Sequence, residues 1–411
     1  MKLQRTSPSG AWVTLRTAAD AALRAGRPDR AARELAQAAE AVWRYAGAFP
    51  EPPDPRTGPA LLAEARQRAG DDLLARTRVA IAEAFATPDA DTDARSVAEH
   101  AVALARRCGD PLAESAALDR LTTIRLAAGD VAGALANATR RTDLLADRGL
   151  DAGASIEVSD AHVMAVETAI AAGDLATARR MAERLRDLPS HRELGHVAVA
   201  RLILVTALTG EWDETVRYAD RFRAGWERAG HPVVPTLRRA AHVAATVHGL
   251  RGDDDERSRW LRVVEALGRD RDGAEDHHPR ALFDAVLFLH TGQPERAVRR
   301  LDTDPAELSR WYSAIWRPWY AAVRAEAAVL SGHPEAAHRL DDATRWVAGN
   351  PITAAMLDRA AAVAAADRPG IRATADRLTD CRYQWARTLV LAGDPAGDEA
   401  MAALGAVTRG G

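Results

Sequence analysis

An all-α fold, an α-solenoid of tetratricopeptide-like helical hairpins, is predicted by three observations on this 411-residue chain. Hydrophobic residues make up 47% of it, and Ala and Leu dominate over β-branched and aromatic types, a bias that favours helix. Glycines recur at Gly129, Gly173, Gly210, Gly252, Gly292 and Gly332, a period of roughly 40 residues. Between them the apolar positions follow helical spacing.

The stretch Arg192–Gly230 shows the unit. From His196 to Leu208 nearly every position is apolar, so its first helix has to be covered on most sides. After Gly210, Trp212, Val216, Ala219, Phe222 and Trp226 form one stripe and the charged residues take the other face, which describes a half-exposed outer helix. Two such helices cannot enclose their own apolar surface, so neighbouring pairs stack against them.

Taken in order, the first hairpin runs from Ala11 through the turn Gly26–Asp29 to about Tyr45, with Pro28 suited to a first helical turn. Five prolines between Phe49 and Pro59 then forbid a continuous helix and leave a long loop. Helices are expected over 59–69, 71–86, 92–108 and 111–128, the last capped by Asp110. From Gly129 the repeat is regular. An alanine lies five residues after the turn glycine at Ala31, Ala134, Ala178, Ala297 and Ala337, where a small side chain lets the second helix approach the first. Thr215 and Arg257 take that place after Gly210 and Gly252, and those hairpins are expected to be splayed or shifted. A helix opening at Asn350-Pro351, the pair Ile371–Leu378 and Cys381–Leu391, and a short helix at Glu399–Leu404 complete about eleven hairpins. The reading is of one repeat domain over 1–411, irregular through 128 and more regular over 129–405.

Composition removes several functions. With 55 basic and 58 acidic side chains the net charge is −3, leaving no excess field to hold nucleic acid or an anionic membrane. Lys2 is the only lysine. A phosphate loop of the form GxxxxGK[ST], Schiff-base chemistry and a kinase site all need one. Cys108 and Cys381 stand far apart without CxxC spacing, which argues against a disulfide framework and fits a reducing cytoplasm. The N-terminal residues carry no signal-peptide core, and no apolar run reaches membrane-spanning length.

Candidate chemistry is sparse. His242 and His248 fall on opposite sides of a helix, and the adjacent His277-His278 makes a poor chelate. The run Asp253-Asp254-Asp255-Glu256 follows a turn glycine at a helix start, where negative charge is favoured without any metal. The most distinctive feature is an aromatic bend: Trp311, Tyr312, Trp316, Trp319 and Tyr320 place five of the chain's twenty aromatics within ten residues, with Arg317 among them and Pro318 between two helices. Such rings either line a groove for a peptide or small molecule or fill a wedge between repeats. These six residues are the candidate partner-binding set. No catalytic residue, metal ligand or cofactor is assigned.

Several phrases go further: Glu157-Val-Ser-Asp160-Ala-His162-Val-Met164, Gly225-Trp226-Glu227-Arg228-Ala229-Gly230, His248 through Asp254, Asn350-Pro351-Ile352, and Cys381 through Leu389. Together they resemble the helical-repeat sensor region of actinobacterial LuxR-type transcriptional regulators, the MalT-like signal-transduction ATPases. In that family an ATPase domain precedes the repeats and a DNA-binding helix-turn-helix follows. This sequence shows neither, so the resemblance implies the remaining role, a non-enzymatic sensor of a protein, a peptide or a small inducer. Two alternatives stand beside it: an enzyme with a pocket near the aromatic bend or the His277-His278 entrance, and a structural assembly adaptor.

Overall fold

The computed structural model describes residues 8–45, 53–149, 154–191, 195–268, 277–308 and 310–407. Among them there are 22 α-helices and no strand. None of these helices is long and apolar enough to cross a membrane. Part of the proline-rich stretch, 46–52, and the segment before His277 lie outside the described residues.

The contacts within the chain group into two compact units. One comprises residues 1–126 and 133–164, the other 127–132 and 165–411. The first holds α1 (Pro8–Arg24), α2 (Pro28–Arg44), α3 (Thr57–Arg68), α4 (Leu73–Ala86), α5 (Ala94–Cys108), α6 (Pro111–Ala127) and most of α7 (Val131–Leu144). The division falls within α8 (Ser155–Ala172).

The second unit alternates inner and outer helices. Its inner row is the end of α8, α10 (Gly195–Thr209), α12 (Arg238–Leu250), α14 (His277–His290), α17 (Arg317–Leu330), α19 (Pro351–Ala364) and α21 (Arg382–Ala392). The outer partners are α9 (Leu175–Asp187), α11 (Trp212–Arg228), α13 (Asp254–Ala266), α15 (Pro294–Arg300), α18 (Ala336–Val347), α20 (Arg368–Thr374) and α22 (Ala396–Ala403), with the single turn α16 (Trp311–Ala314) inserted before α17. As its composition requires, α10 is buried continuously from Ala198 to Thr206, whereas α11 buries only the stripe that includes Trp212, Ala219, Phe222 and Trp226.

One turn chemistry joins the hairpins. The turn glycines Gly129, Gly173, Gly210, Gly252, Gly292 and Gly332 all have positive φ. The amide after the glycine donates to the carbonyl five residues back, as Asp174 N does to Ala169 O at 3.0 Å and Glu211 N to Thr206 O at 2.9 Å, which closes the helix. Where that next residue is Asp174 or Asp253, its carboxylate also caps the following helix, accepting from Thr177 N and Glu256 N. Among the described residues the same turn occurs once without glycine. Ala366 has φ +54°, Asp367 N donates to Ala362 O at 2.9 Å, and Asp367 accepts from Gly370 N. Glycine spacing alone gave no sign of this hairpin.

The small residue after the turn behaves as expected at Ala31, Ala134, Ala178 and Ala297, which are fully buried. Ala337 does not: it is exposed, because α18 starts only at Ala336 and Arg339 is the residue its first turns bury. The two expected splays are absent. Thr215 is buried and donates through Oγ1 to Thr206 Oγ1 at 3.0 Å, so a hydroxyl pair fills the place of the alanine. Opposite Arg257, the room comes from the other helix. Gly249 of α12 has no side chain there, and a Cβ on it would stand 2.8 Å from Arg257 Cδ.

The second unit is wound so tightly that its late hairpins seat on its early turns. Arg317 donates to Ala127 O at 3.1 Å, Trp319 Nε1 to Ile170 O at 3.0 Å, and Asn350 Nδ2 to Ala171 O at 2.9 Å. Arg382 and Tyr383 lie against Gly210, where a Cβ would be 2.8 Å from Arg382 Cβ. Val407 N donates to Leu250 O at 3.1 Å, and its side chain covers Gly252. Each early turn thus receives an element about five hairpins further on.

Candidate ligand pocket

Two kinds of interior follow from this winding, one charged and one apolar. In the second unit, isolated charges on inner helices are neutralised by the next inner helices. Glu167 of α8 lies 3.3 Å from Arg201 of α10 and 3.0 Å from Arg239 of α12. Glu326 of α17 repeats the arrangement with Arg359 of α19 at 2.7 Å and Arg387 of α21 at 3.1 Å. Burial opposes ionisation of Glu326, but the two guanidiniums hold its carboxyl below the usual range.

The first unit has its own network, in which Arg44 of α2 and Arg141 of α7 share three carboxylates and Arg44 takes a fourth. Arg44 reaches Asp119 at 2.8 Å, Glu40 at 2.9 Å, Glu157 at 2.6 Å and Asp160 at 2.8 Å. Arg141 bonds Asp119, Glu157 and Asp160, and Ser115 donates to Glu157 at 2.5 Å. Burial raises the pKa of Glu40 and of Asp119. It also works against Glu157, yet Arg44 and Arg141 pull that carboxyl down to about 2. One sequence signal pointed here: Arg141 shares the buried stripe of Ala134, Ala138 and Leu145.

The apolar interior is a pocket in the second unit, with about 60 Å³ of enclosed space below an open mouth. Trp212, Val247 and Phe283 form one wall, from early hairpins; Trp319, Met356 and Tyr383 form the other, from late ones. It exists because the winding brings α10–α14 against α17–α21. Its polar lining groups are largely engaged elsewhere. Trp212 Nε1 donates to Ala207 O, Trp319 Nε1 to Ile170 O, and Thr246 Oγ1 to His242 O.

The aromatic bend meets this pocket at one residue. Tyr312, Trp316, Arg317, Trp319 and Tyr320 are all buried, and nothing is described of the Trp311 side chain. Trp316 packs edge-on to Phe283 at 5.3 Å. Arg317 donates twice to Leu308 O and stacks on Trp346 at 4.5 Å; burial and the nearby Arg345 lower its pKa to about 10. Burial pushes the Tyr320 hydroxyl up to about 12. Of the five whose side chains are described, only Trp319 belongs to the pocket lining. The remaining walls are contributed by residues that sequence reasoning did not single out as a site, because their partners lie a whole winding away.

The other candidates resolve into local roles. Asp253 caps α13 and Glu256 bonds Arg223 and Arg259. His242 lies 3.2 Å from Asp284, which also pairs with Arg300 at 2.9 Å. Burial resists ionisation of Asp284, but these partners bring it to about 2. His278 meets Ser313 Oγ at 3.1 Å. Burial raises the Cys381 thiol far above its ordinary value, which makes it inert. Among the described residues no group of three or more His, Cys, Asp or Glu is placed to hold a metal ion.

No protein-family model matches the chain, and no curated protein matches it. A solved chain described as "Circular tandem repeat protein with novel repeat topology and enhanced subunit contact surfaces" is similar at 16% identity over 96% of this chain and 87% of that one, with a TM-score of 0.20. A superposition that loose bears no argument. By its own geometry the molecule is an all-α helical-repeat scaffold whose second unit closes on itself around an apolar pocket.

Proposed function

We propose that this chain is a non-catalytic repeat scaffold that binds a small inducer, or a protein or peptide partner, in transcriptional regulation or a related signalling role. The observation that supports it most is the pocket whose two walls belong to different windings of one helical array. A ligand there contacts both walls at once and favours the closed arrangement over any looser one, which is the requirement for a sensor. The side chains a catalyst would use have other engagements: His242 with Asp284, His248 with Asp253. The likeness to regulator sensor regions bears on the scaffold more than on the ligand, since Glu157, Asp160, Asn350 and Arg387 of the shared phrases lie in buried networks and seats.

The test is to incubate the full chain with a metabolite and protein extract of its host, re-isolate it, and identify what co-elutes while following its melting temperature. Recovery of an unchanged molecule that raises the melting temperature supports the reading. Multiple turnover of that molecule into a product overturns it in favour of an enzyme.

A further inference from the structure

We infer that the pocket of the second unit takes a compact, uncharged, ring-containing molecule with few hydrogen-bonding groups, held between the early and late hairpins. The inference rests on the scaffold reading and specifies its ligand. Four aromatic rings, Trp212, Phe283, Trp319 and Tyr383, contribute to the walls together with aliphatic side chains, and rings offer flat faces and edges that another ring fits at van der Waals distance. The enclosed part of the space is only about 60 Å³, below the usual range of ligand sites, so a guest has to be compact and sits partly in the mouth.

The polar groups decide the ligand's charge. Both indole N–H groups and the Thr246 hydroxyl already donate to backbone carbonyls. Gln384 Oε1 accepts from Arg359 at 3.0 Å, which leaves its Nε2 as a donor, and Tyr383, beside Arg387, adds one hydroxyl. The cations behind the walls are engaged: Arg359 bonds Gln384 O, Thr388 and Glu326, Arg387 bonds Glu326 and Leu289 O, and Arg251, over the Trp212 ring, bonds Asp213 and Leu404 O. A carboxylate or ammonium entering here loses its hydration without a partner, and burial of an unpaired charge is prohibitive. An apolar cavity of this kind stays dry and accepts an apolar guest.

The experiment uses the full chain with benzene, indole and benzoate as probes, read by melting temperature and by the fluorescence of Trp212 and Trp319 against the background of the other tryptophans. Benzene and indole are expected to raise the melting temperature by roughly 5 °C at about a hundredfold excess over Kd, and benzoate to do nothing. Two filling variants on different helices, Ala207→Leu and Val286→Phe, are expected to keep helicity and abolish both responses. Binding of benzoate as tight as that of benzene overturns the inference, as does undiminished indole binding in folded filling variants. If neither neutral probe binds while a host-extract molecule still stabilises the protein, the ligand class is wrong and the scaffold reading survives. If nothing of any kind binds, both fall.

Discussion

Trp212, which opens α11, and Tyr383, near the start of α21, pack with ring centroids 5.5 Å apart and planes tilted by 37°. The pair joins the middle of the array to its last hairpin, and both rings line the pocket. Replacing Trp212, which is 2% exposed, by Ala is expected to destabilise the second unit by about 3–5 kcal/mol and to eliminate the response to neutral aromatic probes. Urea unfolding followed by helicity measures the first effect. A loss below about 1 kcal/mol would mean that this contact does not hold the winding closed.

The turn glycines make separable demands, and two of them isolate the seat. Gly129 and Gly210 both have positive φ, +82° and +79°, but a Cβ on Gly129 meets nothing within 4 Å, whereas one on Gly210 collides with Arg382 Cβ and comes within 3.2 Å of Tyr383 N. Gly129→Ala is expected to lose about 1 kcal/mol from backbone strain alone. Gly210→Ala is expected to lose about 1–3 kcal/mol more, the usual penalty of overpacking. Equal losses for the two variants would show that Gly210 serves only its turn.

Asn350 performs two jobs with one side chain. Its Oδ1 accepts from Ile352 N and Thr353 N at 3.0 Å, capping α19, while Nδ2 donates to Ala171 O at 2.9 Å. Asn350→Ala is expected to lose the cap, about 1 kcal/mol, and to strand the buried carbonyl, about 1–3 kcal/mol more. Asn350→Ser retains the cap alone and should recover only the first part. Full recovery by serine in thermal or urea melts would remove the Ala171 bond from the account.

Much of this architecture was legible locally because hairpin turns obey local rules. The Gly-Asp turns and the stripe on α11 follow from backbone conformation and helical period. The errors are equally local in origin. Ala337 has the right spacing from Gly332, but a longer turn moves the helix start. Arg257 looked too large because its complement, Gly249, sits on the preceding helix. What the sequence could not show is the winding: Asn350 meeting Ala171, or Trp319 meeting Ile170, leaves no periodic trace, and so the pocket walls went unseen. The aromatic bend was visible as a cluster, but whether its rings face a groove or a neighbour depends on those distant contacts.

Ala366 offers a gain instead of a loss. Its φ of +54° is the left-handed conformation that its counterparts reach with glycine. Ala366→Gly is expected to stabilise the protein by about 0.5–1 kcal/mol, relief of strain exceeding the added freedom of the unfolded chain. A calorimetric melt that moves downward contradicts the assignment of this residue as a strained turn.

The charged network of the first unit predicts a two-sided response to acid. Glu157 titrates in the fold at about 2, below its unfolded value of about 4.3, so its contribution is present above that value and is lost as pH falls toward 2. Glu40 and Asp119 are raised by burial, so theirs is full below the unfolded values and is lost as pH rises through the folded ones. From neutral pH downward the first unit should therefore become more stable, then less so below about pH 4. Hydrogen exchange of amides in α2 and α7 across this range reads the curve. A steady decline from neutrality would rule out the raised pair.

The five-hairpin offset has a consequence for how such a chain can change over time. An open solenoid tolerates the gain or loss of a repeat, because each unit touches only its neighbours. Here, adding one hairpin between α12 and α17 would present Asn350 to the wrong turn and move Arg382 off Gly210. Drift in length is therefore expected at loops and outer helices, while the number of hairpins in the closed unit is held fixed by its own geometry.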